Sequence, residues 1–195
     1  MRFENMSILY HKLYKWLTMK TPGERSNVSR FKYYQKELWN PVLEIIDEIS
    51  KEENPTDKEK EFINLVKYKG TVYRKQKYNP KNRGHIYFHG YYQSGSKDLE
   101  GLSNVSNYYR DVLLIITKEI TGINVKELLK FMCRHRYADT SAVRLERYLK
   151  EKEIVFGMKE DSIKEIVVVD NNKLLEWETE GKALEKCKWK RNNMR

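Results

Sequence analysis

The segment RYLKEKEIVFGMKEDSIKEIVVVD, Arg147–Asp170, decides the fold because a polar, helix-like pattern gives way there to two β-strands. The runs EIVF and KEIVVVD are short, apolar and rich in β-branched residues, which is typical of strands. Side chains two apart in a strand share a face. The sequence therefore predicts that Glu151 and Glu153 project together, with Lys152 on the opposite face.

The paired glutamates have two interpretations. Carboxylates this close together repel each other, so a fold retains them either on a solvated surface or in a cleft that uses them. Judged alone, E-K-E at 151–153 is more typical of a solvated patch. Its position at a helix-to-strand junction leaves the cleft open as the second interpretation.

The chain divides into a helical first part and a strand-rich second part. Apolar side chains recur at helical spacing in the first part, where P-T-D at 55–57 predicts a helix start and Gly70 its end. After Gly70 the runs TVYRKQKY, HIYFHGYY and RDVLLIITKE are β-prone, and Gly122 predicts a turn. We therefore predict an α+β fold, with N-terminal helices at 1–69 packed on a mixed or antiparallel sheet at 70–195 that ends in a basic tail.

Composition and charge indicate which type of binding partner and which cellular compartment to expect. A net charge of +10 and a pI near 9.4 favour an anionic partner, such as nucleic acid or a phosphate-bearing ligand. Solvated lysines that serve solubility explain the same charge equally well. No apolar run approaches the length of a membrane span, and charged side chains interrupt the first amphipathic stretch. We expect no membrane association, and a cytoplasmic site of action in the producer or in a host cell.

The cysteines and histidines do not form a metal-binding pattern. Cys133 and Cys187 are far apart in the sequence, and the four histidines are scattered along it. A reducing compartment also disfavours a structural disulfide. We therefore predict neither a metal site nor a disulfide.

Two features upstream of the glutamates are unusual for strands. Arg74 lies inside the strand-like run TVYRKQ, where a guanidinium needs an anionic group to bind. The run HIYFHGYYQSGS ends in Ser94-Gly95-Ser96, two small hydroxyls around a residue that permits close backbone approach. The chain thus presents an aromatic-arginine pair, then S-x-S, then E-x-E, each at a predicted strand.

This order of motifs resembles the arginine-type mono-ADP-ribosyltransferases, which include the enzyme components of clostridial binary toxins and small phage enzymes that modify host proteins. The family pattern reads approximately Y-R, then G-x-x-x-F-x-G-F-x-S-T-S, then E-x-E-V-L. Here it stands as Tyr73-Arg74, GHIYFHGYYQSGS and EKEIVF, within residues 70–170. The resemblance implies the fold of that family and its reaction, which is transfer of ADP-ribose from NAD to an arginine of a target protein.

The resemblance also implies roles for individual residues. Glu153 would stabilise the positive charge that develops on the ribose, and Glu151 would hold the acceptor arginine. Ser94 would hydrogen-bond the catalytic carboxylate and orient it. Arg74 would pair with the phosphates of NAD.

Further contacts with NAD are expected from four residues: Tyr73, Ser96, Tyr108 and Arg110. An aromatic side chain of the loop at 108–110 would stack on the nicotinamide ring, and its arginine would contact phosphate. In the segment 134–150, Tyr137 or Tyr148 would face the target protein.

The sequence departs from the family pattern in three places. Gly95 replaces the middle residue of S-T-S, and Lys75 follows Arg74 where the family often has glycine. The connection between Arg74 and Ser94 is also shorter than in the family. These departures bear on NAD affinity more than on the type of reaction.

Three alternative functions stay open. A basic nucleic-acid-binding protein would use the lysines around Arg74 and those of the C-terminal tail. An ADP-ribosyltransferase acting on nucleic acid would use both the positive charge and the motifs. A catalytically silent version of the fold would bind a partner instead.

Overall fold

The computed structural model describes residues 3–18, 28–78, 92–105, 109–138, 149–176 and 185–186. Its α-helices are α1 (Met6–Leu17), α2 (Val28–Tyr34), α3 (Asn40–Ser50), α4 (Asp57–Val66), α5 (Leu99–Ser103) and α6 (Val125–Arg134). Its strands are β1 (Lys67–Gly70), β2 (Tyr73–Lys77), β3 (Tyr92–Ser96), β4 (Asp111–Thr117), β5 (Ile120–Asn124), β6 (Glu153–Gly157), β7 (Ile163–Asp170) and β8 (Glu185–Lys186). No helix in these ranges is long and apolar enough to cross a membrane.

The sheet formed by these strands is antiparallel throughout. Its strand order is β1-β5-β6-β3-β2-β4-β7-β8. Helices precede and flank the sheet, so the predicted α+β class is confirmed. β2 and β3 pair at one position only, with Tyr73 opposite Ser96. The sheet therefore consists of two four-stranded halves, β1-β5-β6-β3 and β2-β4-β7-β8. The halves meet at the Tyr73–Ser96 pair and separate beyond it.

Local sequence signals account for the start of α4 but not for its end. The side chain of Thr56 accepts a hydrogen bond from the Glu59 amide at 3.3 Å, and the Glu59 carboxylate accepts one from the Thr56 amide at 2.8 Å. This reciprocal cap confirms the predicted helix start. The predicted end at Gly70 is wrong, because residues 67–70 leave the helix and pair with β5 as strand β1. The sheet thus begins inside the region predicted to be helical.

The turn predicted at Gly122 is also wrong. Gly122 lies within β5, where it pairs with Phe156 of β6. A Cβ atom on Gly122 would lie 2.8 Å from the carbonyl oxygen of Val155. The glycine therefore marks a close approach between adjacent strands rather than a change of chain direction.

The helices α1–α4 and α6 form a layer against one face of the half-sheet that contains β5 and β6, whereas α5 packs against β4 and β7 of the other half. Six side chains of α1 are buried in this layer, at spacings of three and four residues: Met6, Leu9, Tyr10, Leu13, Trp16 and Leu17. Ile8 is also apolar and near these residues in sequence, but it lies off the buried stripe and is 54% exposed. Burial of each large apolar side chain stabilises the fold by about 1.5–3 kcal/mol.

A second apolar cluster joins the two halves of the sheet. Ile154 and Phe156 of β6 share it with Leu113 and Ile115 of β4, although β6 and β4 lie in different halves. The halves therefore fold over a common core while remaining hydrogen-bonded at one described residue pair. Among the described residues, β2 and β3 do not pair with each other beyond Tyr73 and Ser96, and the candidate site lies there.

Candidate active site

Arg74 lies in β2 at the point where β2 and β3 separate. Its Nη1 donates a hydrogen bond across the gap to the backbone carbonyl oxygen of Ser94 in β3. Its Nε is buried and has no hydrogen-bond acceptor among the described residues. A buried guanidinium donor without a partner is costly in a stable fold. Arg74 therefore has the features of a residue that holds an anionic ligand.

Glu153 is the first residue of β6 and lies directly opposite Ser96 in the strand register. Only 4% of this residue is exposed. Its Oε1 accepts a hydrogen bond at 3.1 Å from the indole Nε1 of Trp16 in α1. A carboxylate this deeply placed loses much of its hydration, and the donor that the described residues provide for it is a neutral indole.

Arg74 and Glu153 interact electrostatically, Arg74 from β2 and Glu153 from β6. Burial lowers the pKa of Arg74 to about 10, and the charge of Glu153 acts in the opposite direction. Arg74 is therefore a cation at neutral pH, near a buried carboxylate but hydrogen-bonded to a carbonyl. An anionic ligand at the guanidinium would complete its hydrogen bonding.

A second cation and carboxylate also interact electrostatically: Lys75, which follows Arg74, and Glu151, which lies two residues before Glu153. Burial lowers the pKa of Lys75, and the negative charge of Glu151 opposes this effect. The Lys75 ammonium donates a hydrogen bond at 3.0 Å to Oδ1 of Asn171. Lys75, which occupies the place of the expected glycine, is thus part of the electrostatic environment of the E-x-E segment.

The predicted shared strand face of Glu151 and Glu153 is wrong. Glu151 lies in the turn before β6, and Lys152 between them has a left-handed backbone with φ of 50°. The Lys152 ammonium forms ion pairs with Asp98, at 3.0 Å, and with Glu100. Because the backbone turns at Lys152, strand alternation does not relate the two glutamates. The segment after β3 and the start of α5 hold this turn in place instead.

The left-handed backbone at Lys152 leads to a testable prediction. We expect Lys152→Gly to be more stable than Lys152→Ala by about 1 kcal/mol, because both lose the ion pairs but only glycine tolerates positive φ without strain. Urea unfolding of the two variants measures this difference. Equal stability, or a more stable alanine variant, would contradict the assigned backbone conformation.

The predicted hydrogen bond from Ser94 to the catalytic carboxylate is absent among the described residues, whereas the expected contact of Ser96 with NAD stays a prediction. Ser94 contributes its backbone carbonyl to Arg74, whereas the donor to the Glu153 carboxylate is Trp16. Ser96 is fully buried, lies opposite Glu153, and accepts a long hydrogen bond of 3.5 Å from the amide of Asp98. The register thus places the second serine of S-x-S, rather than the first, directly beside the buried glutamate.

The structure gives a physical reason for the glycine in S-G-S. A Cβ atom on Gly95 would lie 2.5 Å from Cγ1 of Val72 and 2.8 Å from the carbonyl oxygen of Tyr73. The threonine that the family has at this position would not fit without a shift of β2. Gly95 therefore permits the close contact between β2 and β3 beside Arg74.

Substitution of Gly95 by alanine is expected to reduce the free energy of unfolding by about 1–3 kcal/mol, because the added methyl group overpacks the contact with Val72 and Tyr73. The matched control is Gly157→Ala in β6, where the nearest atom to an added Cβ is 3.6 Å away. That variant is expected to stay within about 0.5 kcal/mol of the parent. Thermal and urea unfolding compare the two, and similar losses in both would show that the Gly95 contact is not tight.

The remaining predicted residues are distributed around the site and beyond it. Tyr73 lies opposite Ser96 and packs against the cluster under α5. Arg110 is exposed, and its backbone carbonyl accepts a hydrogen bond from the amide of Asn171 at 2.7 Å.

Tyr137, which was expected to face the target protein, packs on the helical layer, and its hydroxyl accepts a hydrogen bond from Lys58 at 2.6 Å. Tyr108 and Tyr148 lie outside the described residues.

Trp16 is the residue at this site that sequence reasoning missed. Its spacing in α1 matched that of core residues, and most of its ring does pack in the core. The carboxylate that it contacts is 137 residues away in the chain. No local signal distinguishes a core tryptophan from one whose N–H reaches a buried glutamate.

Comparison with known proteins returns no match, whether with family models, curated proteins or solved structures. Within the described ranges, no group of three or more His, Cys, Asp or Glu side chains stands close enough together to hold a metal ion. The chemistry of the site must therefore be inferred from its own residues.

Proposed function

We propose that this protein is a mono-ADP-ribosyltransferase that moves ADP-ribose from NAD to an arginine of a target protein. The observation that carries the proposal is the convergence of Arg74, the S-G-S segment and Glu153, from β2, β3 and β6, where the two halves of the sheet separate. These elements are distant in sequence and occur in the order of the motifs that resemble the family. A half-buried cation that interacts electrostatically with a buried carboxylate suits a substrate with two phosphates and a ribose that becomes cationic.

The reaction places its main electrostatic demand on the ribose. The bond between ribose C1′ and the nicotinamide nitrogen breaks, and its electron pair leaves with the ring, which departs as neutral nicotinamide. No acid is needed to protonate this leaving group. The ribose acquires oxocarbenium character, and a carboxylate beside it stabilises that charge, as in glycoside cleavage. Glu153 supplies this carboxylate in the proposal.

The acceptor nitrogen then forms a new bond to C1′ and loses a proton. Glu151, in the turn before β6, holds the incoming guanidinium and receives or relays this proton. The charge of Lys75 acts on the same carboxylate. An acceptor arginine would therefore compete with Lys75 for Glu151, which favours acceptors that can form two hydrogen bonds to the carboxylate.

The anchoring of NAD is assigned to Arg74. Its guanidinium is held in place through Nη1 by the Ser94 carbonyl, while the buried Nε has no acceptor in the described part of the chain. A phosphate oxygen satisfies such a donor with a charge-assisted hydrogen bond. In the proposal Arg74 holds the phosphates and Glu153 faces the ribose, and the electrostatic interaction between the two residues supports their action on one substrate.

The proposed function is tested by incubating the purified chain with labelled NAD and a cell lysate, in parallel with a Glu153→Gln variant. We expect label on protein bands, loss of that label in the variant, and its release by arginine-bond-specific chemistry. Label in the nucleic-acid fraction would assign the same chemistry to a nucleic-acid acceptor. Salt-dependent retention of nucleic acid without NAD turnover would favour the binding protein and overturn the enzyme.

A further inference from the structure

We propose that Trp16 is a positioning residue for Glu153, and that its indole N–H fixes one carboxylate oxygen so that the other is directed to the ribose of NAD. The inference rests on the proposed function and extends it to the helical part of the chain, to which the motifs assign no chemistry. Its basis is the hydrogen bond of 3.1 Å between Trp16 Nε1 and Glu153 Oε1.

The donor is held rigidly. Trp16 is 2% exposed, and its ring makes edge-to-face contacts with Phe31, Tyr34 and Trp39 at centroid distances of 6.2, 5.3 and 5.3 Å. A ring enclosed on several sides keeps one rotamer, so the direction of its N–H bond is fixed by packing. The aromatic cluster of α1, α2 and the π-helical segment Gln35–Trp39 that follows α2 thus determines where the carboxylate oxygen lies.

An indole N–H is chemically suited to orient the Glu153 carboxylate. An indole has one N–H donor and no acceptor, so Trp16 engages one oxygen only. It is also neutral, and it therefore orients the carboxylate without cancelling the negative charge that the ribose cation requires. The oxygen that Trp16 engages is Oε1 of Glu153, which leaves Oε2 as the other oxygen of the carboxylate. This oxygen is the one assigned to the substrate.

The neighbouring Trp39 provides a matched control. It is 1% exposed and belongs to the same aromatic cluster, but its Nε1 has no hydrogen-bond acceptor among the described residues. Replacing either tryptophan by phenylalanine removes an indole and retains an aromatic ring. The two variants therefore lose similar packing, and only Trp16→Phe loses the contact with Glu153.

Steady-state kinetics with labelled NAD test the inference. We expect Trp16→Phe to lower kcat by about 10–100-fold with KM for NAD changed by less than about threefold, as for loss of a hydrogen bond to a charged group. Trp39→Phe is expected to retain kcat within about threefold. Equal kcat values in the two variants would overturn the inference and leave the proposed function standing. A parent protein that transfers no ADP-ribose would overturn the proposed function itself.

An NMR measurement keeps the contact testable if Trp16→Phe does not fold. Indole ¹⁵N–¹H resonances of the parent protein are compared with those of Glu153→Gln, after assignment by replacing the other tryptophans one at a time. The Trp16 resonance is expected to move because its acceptor changes from a charged to a neutral oxygen. A Trp16 resonance that does not move would overturn the inference whatever the activity.

Discussion

Glu153→Gln is expected to reduce ADP-ribose transfer by about 10²–10³-fold, the loss typical when a group that stabilises transition-state charge is neutralised. Glutamine has nearly the same shape and still offers an oxygen to the Trp16 indole, so the local packing should persist. The negative charge beside the developing ribose cation is lost. Initial rates with labelled NAD at saturating acceptor measure the effect.

The control for this prediction is Glu44→Gln, which neutralises an exposed glutamate in α3. It is expected to retain the parent rate, because a surface charge in the helical layer contributes little to chemistry at the separation of β2 and β3. Melting temperatures of the parent and the two variants establish that any loss of rate is not a loss of fold. A Glu153→Gln enzyme with the parent rate would remove Glu153 from the mechanism.

Arg74→Lys is expected to weaken NAD binding by about 10–100-fold, which corresponds to the loss of one charge-assisted hydrogen bond. Lysine retains the positive charge but not the planar guanidinium. That group allows Arg74 to bind the Ser94 carbonyl through Nη1 and, in the proposal, a phosphate oxygen through Nε. Calorimetric titration with NAD measures the dissociation constant. The same titration at two salt concentrations separates the fork geometry from simple charge attraction.

The matched control is Lys164→Gln, which removes an exposed cation from β7. Its dissociation constant for NAD is expected to equal that of the parent, because an exposed charge away from the opening is screened by salt. Unchanged affinity in Arg74→Lys would contradict the assignment of Arg74 to the phosphates. Equal weakening in both variants would indicate general charge attraction rather than a built site.

The sequence predicts those features that depend on neighbouring residues. The start of α4 follows from Thr56 and Glu59, whose side chains cap the helix within one turn. The buried strands β4 and β7 follow from continuous apolar runs, which are typical of strands covered on both faces. The motif residues Arg74 and Glu153 fall on strands as predicted, Arg74 within the β-prone run TVYRKQKY and Glu153 at the start of EIVF.

Features that depend on distant partners were not predictable. Residues 67–70 continue a helix-like pattern but become β1 because β5 offers an unpaired edge. Gly122 has the local signature of a turn, yet it allows β5 to approach β6 closely. In both cases a partner more than 30 residues away in the chain selects the conformation, and tertiary pairing overrides weak local preference.

The sequence by itself determined the α+β class, the caps, the main strands and the residue types available for chemistry. Only the tertiary structure decided that the sheet separates beside Arg74, that Lys152 turns Glu151 out of the strand, and that Trp16 contacts Glu153. The physical reason is the range of the interactions. Caps and hydrophobic periodicity act over a few residues, whereas the direction of a buried side chain depends on all the elements that pack around it.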